Sequence, residues 1–138
     1  MAILDKLLQD LKDYSEKLDE VVNRGYDLND WFAQMAILHL LQVHSQIFID
    51  IVQTLLSNMG YNVNGYRDSI RRLRELNLIN DDEMKFLLAV VGFRNIVVHE
   101  YAKVNVRVVD KILKGREYRK VLEIALELRG KAGNAWDC

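Results

Sequence analysis

The sequence predicts an all-α fold, an up-and-down bundle of about five helices. Apolar residues recur at helical spacing through long stretches. The 138-residue chain has no proline, where average usage near 5% would place about seven, so nothing interrupts long helices. No repeat, low-complexity stretch or internal linker divides it. This length fits one domain able to bury a core without disulfides or metal. That domain is expected over residues 1–130, with 131–138 a flexible tail.

The first helix carries a stripe of Ile3, Leu7, Leu11, Tyr14, Leu18 and Val21 and ends by Asn23 and Gly25. Asn29 or Asp30 caps the second, which runs to Gly60. This helix is apolar on most sides, with Trp31, Met35, Leu38, Leu41, Ile47, Phe48, Ile51, Val52 and Leu55. So apolar a helix is either central in the core or partly covered by another subunit, and a chain this small encloses few such helices. A loop of two glycines and two asparagines, Gly60 to Gly65, precedes a short basic helix from Tyr66 to Leu76. Asn80 caps the fourth helix, with acids Asp81, Asp82 and Glu83 in its first turn. Its apolar positions are Met84, Leu87, Leu88, Val91 and Ile96. Asn105 caps a fifth helix reaching Leu128, and Gly115 weakens its continuity.

Composition excludes several function classes. The single cysteine, Cys138, cannot form an intrachain bridge and has no visible base for thiol chemistry. Asp5 and Lys6 lie where a signal peptide needs an apolar run, and no stretch approaches a membrane span, so a cytoplasmic protein is expected. There is no glycine-rich phosphate loop and no nucleophile elbow. His39 and His44 lack cysteine or acidic companions at zinc-ligand spacing and read as buried or interface histidines. No metal and no cofactor are expected. The net charge of −1 conceals a split. Residues 1–60 carry four Lys/Arg against nine Asp/Glu, and residues 61–138 carry fifteen against eleven, giving −5 beside +4. A basic surface is thus compatible with a near-neutral whole.

One stretch concentrates chemistry: Gly92-Phe93-Arg94-Asn95-Ile96-Val97-Val98-His99-Glu100-Tyr101. On a helix Arg94 and Tyr101, seven apart, nearly share a face, whereas Arg94 and His99 lie about 140° apart. Either the helix is distorted there, or a pocket uses residues from two chains. A purely structural role, with Arg94 on a carboxylate and His99 and Tyr101 in core hydrogen bonds, fits the same pattern.

The run Arg94-Asn95-x-x-x-His99-x-Tyr101 resembles the R-x4-H-x-Y motif of the HEPN superfamily, and the form GFRNIVVHEY resembles the HepT-like toxins of MNT/HepT toxin–antitoxin pairs. The likeness extends to the long apolar second helix, the Tyr66-Arg67 helix, the acidic start near Asp81, and Val106 with Val109. It implies a HEPN-like helical bundle that forms a homodimer or higher oligomer, both motifs facing one cleft. It implies the toxin of a type VII toxin–antitoxin system, a metal-independent endoribonuclease. By that resemblance Arg94 and His99 are the catalytic pair and Asn95 the supporting residue. Tyr101 matches the tyrosine that a cognate minimal nucleotidyltransferase antitoxin AMPylates. The proline often seen near the start of the family's last helix is absent. The alternative is a non-catalytic HEPN module that binds a nucleotide or a nucleotidyltransferase, since fold does not fix activity.

The chemistry agrees with the likeness. RNA carries its own nucleophile in the 2′-OH. Histidine can take or give a proton near neutral pH, and arginine's fork matches two phosphoryl oxygens. RNA also needs a cationic landing surface. Arg67, Arg71, Arg72 and Arg74 are one candidate row, with Arg67, Arg71 and Arg74 at single-face spacing; Lys103, Arg107, Lys111 and Lys114 form a second. Solubilising faces or antitoxin contacts explain the same rows equally well.

Overall fold

The computed structural model describes residues 3–138. Six α-helices follow one another: α1 (Ile3–Arg24), α2 (Trp31–Asn58), α3 (Tyr66–Glu75), α4 (Asp81–His99), α5 (Val106–Lys114) and α6 (Glu117–Ala132). Short 3-10 turns at Tyr101–Lys103 and Gly133–Asp137 complete the chain, and no strand occurs among the described residues.

Local signals set most boundaries. The Asp30 carboxylate accepts from the Phe32 amide and starts α2. Asn80 and Glu83 form a reciprocal capping box at the start of α4, at 2.8 and 2.9 Å. Asn105 caps α5 through the Arg107 amide.

α2 is the central element. It packs on α1, α3, α4 and α6. One buried cluster joins the start of α1, the second half of α2, α3, the first half of α4 and α6. A second lies toward the other end, where Leu18, Ile37, Leu38 and Leu41 meet Val97, Val109, Leu113 and Tyr118. Val97 belongs to the GFRNIVVHEY stretch, so this second cluster anchors that stretch to the bundle.

Four expectations are corrected. In α1 the buried stripe is Leu4, Leu8, Leu11, Ser15 and Leu18, while Ile3 is exposed. Leu7 and Leu8 are both apolar, so spacing alone left two stripes open, and packing on α2 selects one. The expected fifth helix is two. Gly115 ends α5, but the residue in the left-handed region is Arg116, at φ 47°. A non-glycine residue there costs roughly 1–3 kcal/mol. Its guanidinium offsets that cost by donating to Asp19 at 2.7 Å and Asn23 at 2.7 Å. Nor is the C-terminus a frayed tail. Trp136 is buried, and its indole N–H donates to Asp5 at 2.9 Å. Finally, α2 is long and apolar enough by composition to cross a membrane, which the sequence reading did not expect. Half of its most apolar window is buried in the bundle, as befits a core helix.

The Asp19 carboxylate ties α1 to the α5–α6 turn. It accepts from Arg116, from the Tyr118 hydroxyl at 2.5 Å and from Arg119 Nε at 2.8 Å. Burial alone would raise its carboxyl, but hydrogen bonds from Arg119, Tyr118 and Arg116 hold it at about 2.

Candidate functional site

α4 is α-helical without interruption through His99. Five residues along such a helix are about 7.5 Å of rise and 140° of rotation. The distortion that would bring Arg94 and His99 together within one chain is therefore absent. The helix ends at His99, Glu100 turns the backbone away (φ −136°, ψ 48°), and Tyr101 begins a 3-10 turn. The expectation that Arg94 and Tyr101 share a helical face fails for that reason.

Arg94 is half-buried and firmly held. Its Nε donates to Gln46 Oε1 at 3.0 Å, and its Nη1 donates to Asn95 Oδ1 at 3.0 Å. The guanidinium lies over the Tyr66 ring, 5.0 Å from its centroid. Gln46 is itself oriented, since its Nε2 donates to Asp50 at 2.9 Å. The guanidinium is thus fixed from α2, α3 and α4 while Nη2 has no protein acceptor among the described residues. Asn95 is placed beside Arg94 as expected. Gln46 and Tyr66 were missed as site residues. Gln46 carries a visible signal, a carboxamide set among Ile47, Phe48 and Ile49 of the most apolar helix.

His99 and Tyr101 are exposed. The Tyr101 hydroxyl donates to Met35 Sδ at 3.0 Å, joining the end of the motif to the first turns of α2. There the structure leaves an apolar surface. Trp31 and Phe32 are 65% and 70% exposed, their rings tilted by 42° with centroids 4.7 Å apart, and Met35, Ile96 and Tyr101 are also open. A monomer this small rarely leaves such side chains together in water without a partner. His39, one turn beyond Met35, is exposed; His44 is buried.

The basic rows separate. Arg67 reaches across to α4, its Nη2 3.3 Å from where a Cβ on Gly92 would sit, so a larger residue at 92 would make the guanidinium shift slightly. It has no carboxylate partner among the described residues. Arg71 pairs with Asp68, Arg72 with Glu75 and the Tyr61 ring, and Arg74 with Asp81 at 2.6 Å. Those three are engaged with acids, and the Arg67–Arg71–Arg74 face does not act as one free row. Lys103 pairs with Glu100 and Lys114 with Asp110, while Arg107 and Lys111 are exposed without a carboxylate partner among the described residues. Among the described residues no three His, Cys, Asp or Glu side chains gather as metal ligands.

A family model described as "Ribonuclease HepT-like" matches residues 4–128. The chain belongs to this HepT-like family. A protein of Archaeoglobus fulgidus named as a candidate RNase is 25% identical over 120 residues, 83% of this chain and 89% of that protein. Among solved structures, a tri-AMPylated HEPN toxin of Shewanella oneidensis in complex with its MNT antitoxin superposes with a TM-score of 0.79 at 23% identity, covering 90% of this chain and 96% of that one. A toxin–antitoxin complex with AMP-PNP gives 0.80 at 22% identity, covering 91% and 98%. At these identities the structural likeness establishes the HEPN fold. The HepT-like resemblance drawn from the sequence thus agrees with the family assignment.

Proposed function

We propose that this HepT-like chain is the toxin of a toxin–antitoxin pair, an endoribonuclease whose site forms where two copies meet. The observation that carries it is the unbroken α4. It holds Arg94 pinned on one face and His99 exposed on another, beside unpartnered apolar side chains. A second copy covering Trp31, Phe32 and Met35, with Tyr101 left open at the edge, supplies the missing half of each site, so that Arg94 of one chain works with His99 of the other.

In that site Arg94 presents its free edge to two phosphoryl oxygens. A neutral His99 imidazole takes the proton of the 2′-OH as O2′ bonds to phosphorus and the P–O5′ bond breaks. The leaving 5′ oxygen takes a proton from water, and His99 passes its own to solvent, so each site is complete with one arginine and one histidine. The products are a 2′,3′-cyclic phosphate and a 5′-hydroxyl. The nucleophile is the substrate's own hydroxyl, so this chemistry asks for no metal. Asn95 supports Arg94, and Arg67, beside α4, together with Arg107 is suited to phosphates flanking the cleavage point.

The antitoxin in this reading is a minimal nucleotidyltransferase that transfers AMP from ATP to the exposed Tyr101 hydroxyl, the Tyr O–P bond forming as the α–β phosphoanhydride breaks and pyrophosphate leaves. The added phosphate and bulk exclude RNA phosphate from the neighbouring site. The solved HEPN toxin that carries AMP with its MNT antitoxin supports this assignment.

Purified protein is expected to cleave RNA in EDTA, and His99→Ala is expected to abolish that cleavage while leaving the melting temperature unchanged. Cleavage at an unchanged rate in His99→Ala removes His99 from the mechanism. Failure of the unmodified protein to cut any RNA, with tight binding of a nucleotidyltransferase, selects the non-catalytic module instead.

A further inference from the structure

The face of α4 that carries His99 also carries a cation, and it is not Arg94. Gly92 and His99 are seven residues apart on an unbroken helix, about 700° of rotation, so they share one face. Arg94 lies about 160° round the helix from Gly92 and about 140° from His99. The Arg67 guanidinium rests on the Gly92 side, its Nη2 3.3 Å from where a Cβ on Gly92 would sit. With no side chain at 92, it lies close against the α4 backbone. The arginine on His99's own face is thus Arg67.

Its charge is free for a ligand. The acid beside it, Asp68, goes to Arg71 at 3.4 Å, and Glu75 and Asp81 go to Arg72 and Arg74. Arg67 is exposed and has no carboxylate partner among the described residues. Arg94 is held by the carboxamides of Gln46 and Asn95 and by the Tyr66 ring, none of which neutralises it. Two faces of α4 therefore each present an uncompensated guanidinium, a group suited to phosphoryl oxygens.

The spacing from His99 suits a strand of RNA. Gly92 and His99 are about 10.5 Å apart along the helix axis, and successive phosphates of a stacked strand advance about 3.4 Å, so no more than about three nucleotide steps separate the two positions. Helical side chains lean toward the N-terminus, which carries the His99 ring back toward Arg67 and shortens the span.

We propose that Arg67 binds an RNA phosphate within about three nucleotides of the one placed at His99, in the site to which its own chain gives His99. This rests on the reading of Arg94 and His99 as halves of an RNA-cleaving site and adds an allocation to it. One chain supplies Arg94, and the other supplies His99 together with Arg67.

Binding is tested with a fluorescein-labelled, mixed-sequence RNA of about a dozen nucleotides, 2′-O-methylated so that it has no free 2′-OH to react, and read by anisotropy at about 50 and about 200 mM salt. Arg67→Ala is expected to bind more weakly than wild type. Its deficit should shrink about 2.6-fold over that rise in salt, as the loss of one phosphate contact to a single strand requires. Arg71→Ala changes the net charge equally, from a residue already paired with Asp68, and is expected to keep the wild-type slope. An Arg67→Ala slope equal to wild type, or one matched by Arg71→Ala, overturns the proposal. So does an Arg67→Ala protein that loses affinity for the nucleotidyltransferase antitoxin alone. The slope needs no cleavage: a chain that shows it but cuts no RNA keeps the phosphate contact and loses the nuclease reading.

The allocation is tested in dimers refolded from Arg94→Ala and His99→Ala chains, at RNA concentrations below saturation. Arg67→Ala is expected to lower the recovered rate, by the factor measured in binding, when it is placed in the Arg94→Ala chain, which supplies His99. A fall seen instead when it is placed in the His99→Ala chain gives Arg67 to the site of its own Arg94 and overturns the allocation.

Discussion

Gln46→Leu isolates the positioning of Arg94. The carboxamide oxygen accepts from Arg94 Nε at 3.0 Å, and its own amide is steadied by Asp50 at 2.9 Å. Leucine is close in volume and belongs in so apolar a helix, so the bundle should hold its shape. A hydrogen bond to a charged group is worth roughly 1.5–3 kcal/mol. Two restraints on the guanidinium remain, the bond to Asn95 and the Tyr66 ring. The lower figure therefore applies, and about 1.5 kcal/mol is roughly a tenfold loss in kcat/KM. Initial rates on a fluorogenic RNA in EDTA measure it, with melting temperature as the control for folding. The decisive comparison repeats the substitution in an Arg94→Lys background, which keeps a cation and a measurable rate but has no Nε–H for the carboxamide to hold. A residue that acts only through Arg94 has nothing left to position there, so the second loss should vanish. An equal fall in both backgrounds, or no fall in the first, refutes the positioning role.

Three further outcomes are expected. Asp19→Ala leaves the buried Tyr118 hydroxyl without its acceptor and Arg116 strained without compensation, which should cost about 3 kcal/mol in urea unfolding, whereas a loss under 1 kcal/mol contradicts the clasp. Acidification should destabilise the protein through His44, because the unfolded ring binds a proton near pH 6.5 and the buried ring only near 4. Stability is then full above about pH 6.5 and falls by about 3 kcal/mol on the way to pH 4; His44→Leu should flatten that slope, and an unchanged slope refutes the assignment. After incubation with the neighbouring nucleotidyltransferase and ATP, mass spectrometry should place AMP on Tyr101, and a mass shift that persists in Tyr101→Phe points to another acceptor.

The parts of the fold legible in the sequence are those set by neighbours in the chain. Asp30, Asn80 with Glu83, and Asn105 cap helices because their side chains need only reach amides two or three residues away. The Arg94–His99 spacing was legible for the same reason, and so was the conflict it raised with helix geometry. What stayed hidden depends on residues far apart. The pair Leu7 and Leu8 could not say which face of α1 meets α2. Arg116 adopts a left-handed conformation because Asp19, nearly a hundred residues earlier, holds it. Trp136 is buried because Asp5 receives its N–H. At the site, composition counted four arginines as equals. The fold gives Arg71, Arg72 and Arg74 to carboxylates and turns Arg67 toward α4.

The division of the site between two chains can be measured by mixing. Arg94→Ala and His99→Ala proteins are each expected to be inactive. Unfolded together and refolded at equal amounts, about half of the dimers should contain one of each. In such a dimer one site lacks both groups, while the other joins the intact Arg94 of one chain to the intact His99 of its partner. A shared site therefore predicts that the mixture recovers about a quarter of the wild-type rate, in EDTA, from two inactive proteins. A mixture that stays as inactive as its components, although mass spectrometry shows the mixed dimer, contradicts a site shared across the dimer.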